Sequence, residues 1–91
     1  MILKAEYSSA FNKDIKRIQK RGLDMSMLIK VVNILVYQRP LDSQYRDHAL
    51  RGNWIGYREL HISSDWLLIY RYSSGAVYFA RTGTHSELFN K

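Results

Sequence analysis

Apolar residues recur along this 91-residue chain with two periods, and the change of period divides it near the middle. Ile2 to Tyr7 is short and apolar-rich, which suits a first strand. Ser8 and Ser9 then offer N-caps for a helix. From Phe11 to Arg21 the period is helical: Phe11, Ile15 and Ile18 share one face, while Lys13, Lys16, Arg17, Lys20 and Arg21 fall opposite. Gly22 suits the position just past the helix end. Asp24 is the N-cap expected for a second helix running to about Gln38, where Arg39-Pro40 ends it. Its main face is Met25, Leu28, Ile29, Val32, Leu35 and Val36. Ser26, Lys30, Asn33 and Tyr37 leave only a narrow polar stripe, so burial on most sides is expected. Met27 and Ile34 widen the apolar surface, either as core or as ground covered by another chain.

Pro40 to Gly56 has no clear period and reads as a long loop, with a short strand possible at His48-Ala49-Leu50; ordered loops of this length tend to be functional. Three segments rich in aromatic and β-branched residues follow, Tyr57–Ile62, Trp66–Tyr72 and Val77–Thr82, and read as strands. Ser64-Asp65 and Ser74-Gly75 sit between them as turns. Gly83 to Lys91 reads as a loop with a terminal turn. If both turns are two-residue loops, Ser63 faces Trp66, His61 faces Leu68 and Glu59 faces Tyr70. In the second hairpin Ser73 faces Ala76, Ile69 faces Ala80 and Leu68 faces Arg81. One sheet face then carries Leu60, Ile62, Leu67, Ile69 and Ala80 under the helices. The other carries Tyr57, Glu59, His61, Trp66, Tyr70, Phe79 and Arg81. His61, Leu68 and Arg81 would form a row across three strands, with the outer two Cβ atoms on the order of 10 Å apart. A one-residue slip in either turn would break that row. The expected architecture is α+β over residues 1–91: an N-terminal strand and a two-helix hairpin on one face of a small, mainly antiparallel sheet.

Charge sharpens this picture. Fourteen Lys and Arg against eight Asp and Glu give +6, which on so small a domain suits a polyanionic partner, nucleic acid first. The basic stripe of the first helix fits a solvated face, a phosphate-binding surface or an acidic protein partner. There is no cysteine, which excludes disulfides, thiolate nucleophiles and Cys-ligated zinc. No apolar run approaches a membrane span, and Met1-Ile2-Leu3-Lys4 lacks signal-peptide character, so a cytoplasmic protein is expected.

All three histidines lie in the second half, in the stretch from Asp47 to Phe89. Imidazole gives and takes protons near neutrality. Two such groups suffice for metal-free RNA cleavage: a base takes the 2′-hydroxyl proton, an acid protonates the departing 5′-oxygen, and a cation steadies the phosphorane. His48, His61, His85, Asp65 and Arg81 offer these parts, and Phe89 or Trp54 offers a ring to stack a base. Arg51 in the loop, with Lys13 and Arg17 on the first helix, are candidate RNA contacts. A metal site from His48, His61, Asp65 and His85 is a rival, although their spacing matches none of the usual zinc patterns. A serine hydrolase is disfavoured because no G-x-S-x-G elbow occurs.

Tyr45-Arg46-Asp47-His48-Ala49-Leu50, then Gly52-Asn53-Trp54-Ile55-Gly56-Tyr57-Arg58-Glu59-Leu60-His61, Asp65-Trp66-Leu67-Leu68-Ile69-Tyr70 and Arg81-Thr82-Gly83-Thr84-His85-Ser86-Glu87-Leu88-Phe89, resemble the YafQ branch of the RelE superfamily of bacterial toxins. The likeness spans nearly the whole chain. It implies a RelE-like fold and a ribosome-dependent endoribonuclease, an mRNA interferase cutting mRNA in the ribosomal A site beside 16S rRNA, without a cofactor. It implies His85 as proton donor to the leaving oxygen, Asp65 or His61 as base, and His48 as an aid to orientation or charge. Arg81 and Phe89 match its arginine and terminal aromatic. The best-known RelE members use Lys, Arg and Tyr in place of histidines, so their mechanism does not transfer. The family further implies a cognate antitoxin, acidic where it binds, and operator DNA contacted through that antitoxin. A non-catalytic RNA- or protein-binding module on the same fold is the competing expectation.

Overall fold

A computed structural model of the chain describes residues 2–89. Its elements run β1 (Lys4–Tyr7), α1 (Ser9–Lys20), α2 (Met25–Val36), β2 (His48–Ala49), β3 (Arg58–Ser63), β4 (Trp66–Ser73), β5 (Ala76–Gly83) and α3 (His85–Phe89). Single 3₁₀ turns at Ser43–Tyr45 and Gly52–Trp54 flank β2. The strand order is β1-β5-β4-β3-β2, with β1 parallel to β5 and the other pairs antiparallel. The expected α+β architecture is therefore the observed one.

The helix signals act where the sequence places them. The Ser8 hydroxyl accepts from Phe11 N at 2.8 Å and donates to the Ala80 carbonyl at 2.6 Å, so one residue caps α1 and ties it to β5. Gly22 ends α1 with φ +76°, a conformation that costs glycine little. Asp24 caps α2 through Ser26 N at 3.0 Å. Phe11 and Ile18 of α1, with Leu28, Val31 and Leu35 of α2, pack on Leu60, Ile62, Trp66, Leu68, Tyr70, Val77 and Phe79 of the sheet. A smaller cluster of Leu67, Ile69, Ala80 and Leu88, joined by Leu50, Trp54, Tyr57, Tyr78 and Phe89, covers the opposite face.

Three expectations are corrected. The faces of β4 and part of β5 are exchanged: Trp66, Leu68, Tyr70 and Phe79 lie under the helices, while Leu67, Ile69 and Ala80 face away. Two bulges cause this. One lies between His61 and Ser63, so that His61 faces Leu67 and Glu59 faces Ile69. The other lies at Ala80, so that Ile69 faces Arg81 and Leu68 faces Thr82. Each inserted residue reverses which neighbours share a face. Second, α2 is not buried on most sides. It packs on the sheet and α1 along one side, so Leu28, Val31 and Leu35 are buried while Ile29 is 57% and Met27 39% exposed. Third, the tail forms α3. Thr84 and Glu87 cap it reciprocally, Thr84 N donating to Glu87 Oε1 at 2.9 Å and Glu87 N to Thr84 Oγ1 at 3.2 Å. Asn90 and Lys91, the end of the expected tail, lie outside the described residues. Among those described, no helix is long and apolar enough to cross a membrane.

Candidate active site

The sheet face opposite α1 and α2 carries a strip of rings. His48 and His61 have centroids 6.3 Å apart, His61 and His85 5.8 Å, His85 and Phe89 6.3 Å, and Phe89 and Trp54 6.3 Å. Three separate pieces of backbone deliver it. β2 and the 3₁₀ turn after it bring His48 and Trp54, β3 brings His61, and α3 brings His85 and Phe89. The loop bearing β2 is held by Asp47, which takes Arg58 Nη2 at 2.7 Å and Arg58 Nε at 3.1 Å, and which also accepts from the Tyr70 hydroxyl.

Each histidine has a distinct hydrogen-bonding situation, and the partners fix where its protons sit. A carbonyl only accepts, so the 2.8 Å contact of His48 Nδ1 with the Arg46 carbonyl places a proton on that nitrogen. A guanidinium only donates, so Arg46 Nη2, 3.3 Å from His61 Nδ1, requires a lone pair there. The remaining proton of neutral His61 is on Nε2, which lies 3.6 Å from Glu59 Oε1; His48 Nε2 is 3.4 Å from the same oxygen. Burial, helped by the nearby Arg46 charge, pushes the His61 imidazole below its ordinary value of 6.5. Asp65, in the β3–β4 turn, accepts from His85 N at 3.1 Å and from His85 Nδ1 at 3.0 Å. These two bonds hold the Asp65 carboxyl below the usual carboxylate range. They also leave His85 Nε2 as the nitrogen pointing away from its carboxylate partner.

Arg81 is placed differently from the expected His61–Leu68–Arg81 row, which the bulges remove. It forks onto Asp14 of α1, Nε to Oδ2 at 2.7 Å and Nη2 to Oδ1 at 3.0 Å. Asp14 is 1% exposed and also accepts from Thr82 N at 3.1 Å. Arg81 is thus tied by a carboxylate that raises its already high pKa. Arg17, expected to contact RNA, instead pairs with Asp14 at 2.9 Å and Glu87 at 2.8 Å, and Arg21 joins Glu87 at 3.0 Å. These pairs fasten α3 to α1. Lys13 is exposed on α1, which packs on the other side of the sheet from the ring strip, and Arg51 is exposed at the start of the Gly52–Trp54 turn.

The structure thus gathers His48, His61, Asp65, His85, Phe89 and Trp54, and sets Arg81, Arg17 and Lys13 apart from the strip. It adds two residues that the sequence reading did not single out for the site. Glu59 precedes His61 by two in a strand, and Arg46 precedes His48 by two; the same-face rule could have found the first. Among the described residues the donor set fits a metal in one place: Glu59, His61 and His85 each offer one ligand atom, all within 4.8 Å of one another. Two imidazoles and a carboxylate suit zinc, copper or nickel.

Residues 3–90 match the family model described as bacterial toxin of type II toxin-antitoxin system, YafQ. The mRNA interferase toxin YafQ of Escherichia coli strain K12 is 45% identical over 85 residues, covering 92% of each chain. Among solved structures, the E. coli DinJ-YafQ toxin-antitoxin complex contains a chain of 42% identity, TM-score 0.89, with 98% of this chain and 99% of that one covered. A metal-bound toxin from Helicobacter pylori gives 40% identity and TM-score 0.91, with 97% and 100% covered.

Proposed function

Given that the chain belongs to the YafQ family of bacterial type II toxins, we propose that it is an mRNA interferase that cuts mRNA by metal-independent acid–base catalysis on the ribosome. The observation that carries the mechanism is the pair of opposite partners at neighbouring imidazoles, a guanidinium donor at His61 Nδ1 and a carboxylate acceptor at His85 Nδ1, within one strip of rings. His61 is a base. Its Nδ1 carries the lone pair, burial keeps it neutral near pH 7, and Glu59 stands behind its Nε2 proton. His85 is the acid. Asp65 holds its Nδ1 proton, so the Nε2 proton of the imidazolium form is the one to be given away. The 2′-hydroxyl loses its proton to His61 and its oxygen attacks phosphorus. The bond from phosphorus to the 5′-oxygen breaks, and His85 protonates that oxygen. The products are a 2′,3′-cyclic phosphate and a 5′-hydroxyl. Asp65, expected as a rival base, is better suited to orientation, because its two bonds to His85 lower its basicity.

His48, with Nε2 toward Glu59, adds charge beside the phosphate when protonated. Phe89, braced edge-on by Trp54, stacks a splayed base. Arg81 contributes positive charge from the end of β5, reduced by its Asp14 partner, and Arg51 and Lys13 are outlying contacts to RNA or rRNA. An antitoxin neutralises the toxin in the cytoplasm, as DinJ accompanies YafQ in the E. coli complex, and contacts operator DNA on the pair's behalf. A metal on Glu59, His61 and His85 would supply Lewis-acid chemistry but would occupy both proton-transfer imidazoles. The test is single-turnover cleavage of mRNA on programmed ribosomes. His85→Ala should slow cleavage by roughly 10²–10⁴-fold with an unchanged melting curve, and wild type should keep its rate after zinc and copper are chelated with ribosomal Mg²⁺ retained. Wild-type cleavage by His85→Ala would remove His85 from the chemistry, and a chelator-sensitive rate would favour the metal.

A further inference from the structure

The proposed reaction needs a cation on the phosphate, and the arginine expected there is tied to a buried carboxylate. Arg46 is differently placed. It is exposed, its side-chain hydrogen bond runs to a neutral imidazole, and it stands directly on the lone pair that the reaction uses. Its backbone takes the left-handed conformation, φ 49° and ψ 44°, at the end of the Ser43–Tyr45 turn. For a non-glycine residue this conformation is uncommon and strained. The same backbone supplies the carbonyl that fixes the His48 proton, so Arg46 touches two of the three histidines, one with each end of the residue. Beside it opens a cleft of about 480 Å³, bordered by Lys30, Gln44, Arg46, His61, Ser63 and Ser64, with Met27 as an apolar wall. That volume is in the range of small-ligand sites. Two cations, an amide and two hydroxyls suit one nucleotide with its phosphate.

We propose that this cleft holds the nucleotide next to the scissile bond and that Arg46 is its phosphate ligand. In the free toxin Arg46 rests on His61 Nδ1. When RNA enters, the guanidinium moves to the phosphate oxygens, which its fork matches better than a single ring nitrogen. That movement uncovers the His61 lone pair for the 2′-hydroxyl proton. Arg46 is then a catalytic residue by contact with substrate, and a guard that keeps the base covered until substrate arrives. This rests on the nuclease reading above.

The experiment is the same ribosome assay, at saturating toxin for Arg46→Gln and Arg46→Lys and across a range of toxin concentrations for Lys30→Gln, paired with NMR titration of His61 in the free proteins. Arg46→Gln should cut roughly 10²-fold more slowly and should raise the His61 pKa, because a neighbouring positive charge has gone. Arg46→Lys, which keeps the charge without the fork and guards against a folding defect in the first variant, should recover part of the rate. Lys30→Gln should raise the toxin concentration needed for half-maximal rate. Cleavage at the wild-type rate by Arg46→Gln would overturn the proposal and leave the nuclease reading standing. Equal losses in both Arg46 variants with an unmoved His61 titration would also overturn it, leaving Arg46 a backbone role only. Intact mRNA with wild-type toxin would instead bring down the nuclease reading, and this inference with it.

Discussion

His61 has different company at its two nitrogens, a cation over the lone pair and a buried carboxylate facing the proton. Its pH behaviour follows. The folded-state pKa lies below the ordinary value of 6.5, chiefly through burial. Between that lower value and 6.5 the unfolded chain binds a proton that the folded chain does not. Stability from this group is therefore complete above about pH 6.5 and is lost as pH falls through the folded pKa. Urea midpoints followed from pH 7.5 downward should decline less steeply in His61→Gln than in wild type over that window. The cleavage rate should likewise hold through pH 6.5 and fall only below it, where the base itself is protonated. An acidic limb centred at or above 6.5 would argue that another group is the base.

At the scale of elements, α3 is the part with least support of its own. Five residues cannot hold a helix in water by backbone bonds alone. Three outside attachments do so: the Thr84–Glu87 capping box, Asp65 on the His85 backbone, and the clasp of Arg17 and Arg21 on Glu87. Glu87 takes part in two of them, and α3 carries both His85 and Phe89. Glu87→Ala should cost about 1 kcal/mol, the usual worth of a lost cap, lowering Tm by roughly 4–8 °C for a domain of this size. Cleavage should fall further than that loss of folded protein accounts for, because the proposed acid and the proposed stacking ring are no longer held in place. Calorimetry beside single-turnover rates separates the two effects; a rate unchanged in the folded variant would mean that Asp65 alone positions His85.

For the molecule as a whole, the charge of +6 is divided between two uses. Arg17 of α1 and Arg21 at its C-cap pair with Glu87, whereas Lys13, Lys16 and Lys20 of the same helix stay in water. Those lysines are the part of the basic stripe that suits the acidic antitoxin segment expected from the sequence. Exposed charges of this kind act mainly on the rate of encounter and are screened by salt. Changing Lys16 and Lys20 to Gln, with Lys13 kept, should slow association with the antitoxin and flatten its dependence on ionic strength, while mRNA cleavage by the free toxin stays near wild type. Stopped-flow association between 50 and 500 mM salt is the measurement, and identical salt curves would place the acidic segment elsewhere.

Local signals were enough for much of this protein. Ser8, Gly22 and Asp24 bound their helices through bonds to residues two to five positions away, and such bonds are legible in a string of letters. The same holds for the turns at Ser64-Asp65 and Ser74-Gly75, and for the gathering of histidines in the second half. What the string left open was register. Single-residue bulges after His61 and at Ala80 exchanged the faces of β4, dissolved the expected His61–Leu68–Arg81 row, and put Glu59 and Arg81 opposite Ile69. A bulge leaves no compositional mark, and its effect is felt only where distant strands meet. For the same reason Asp14 gave no sign that it would bind Arg81, 67 residues away, nor Arg46 that it would cover His61. Proximity within a few residues is written in the sequence; proximity across the sheet is decided when the core closes, because packing then selects one pairing among several that local preferences allow.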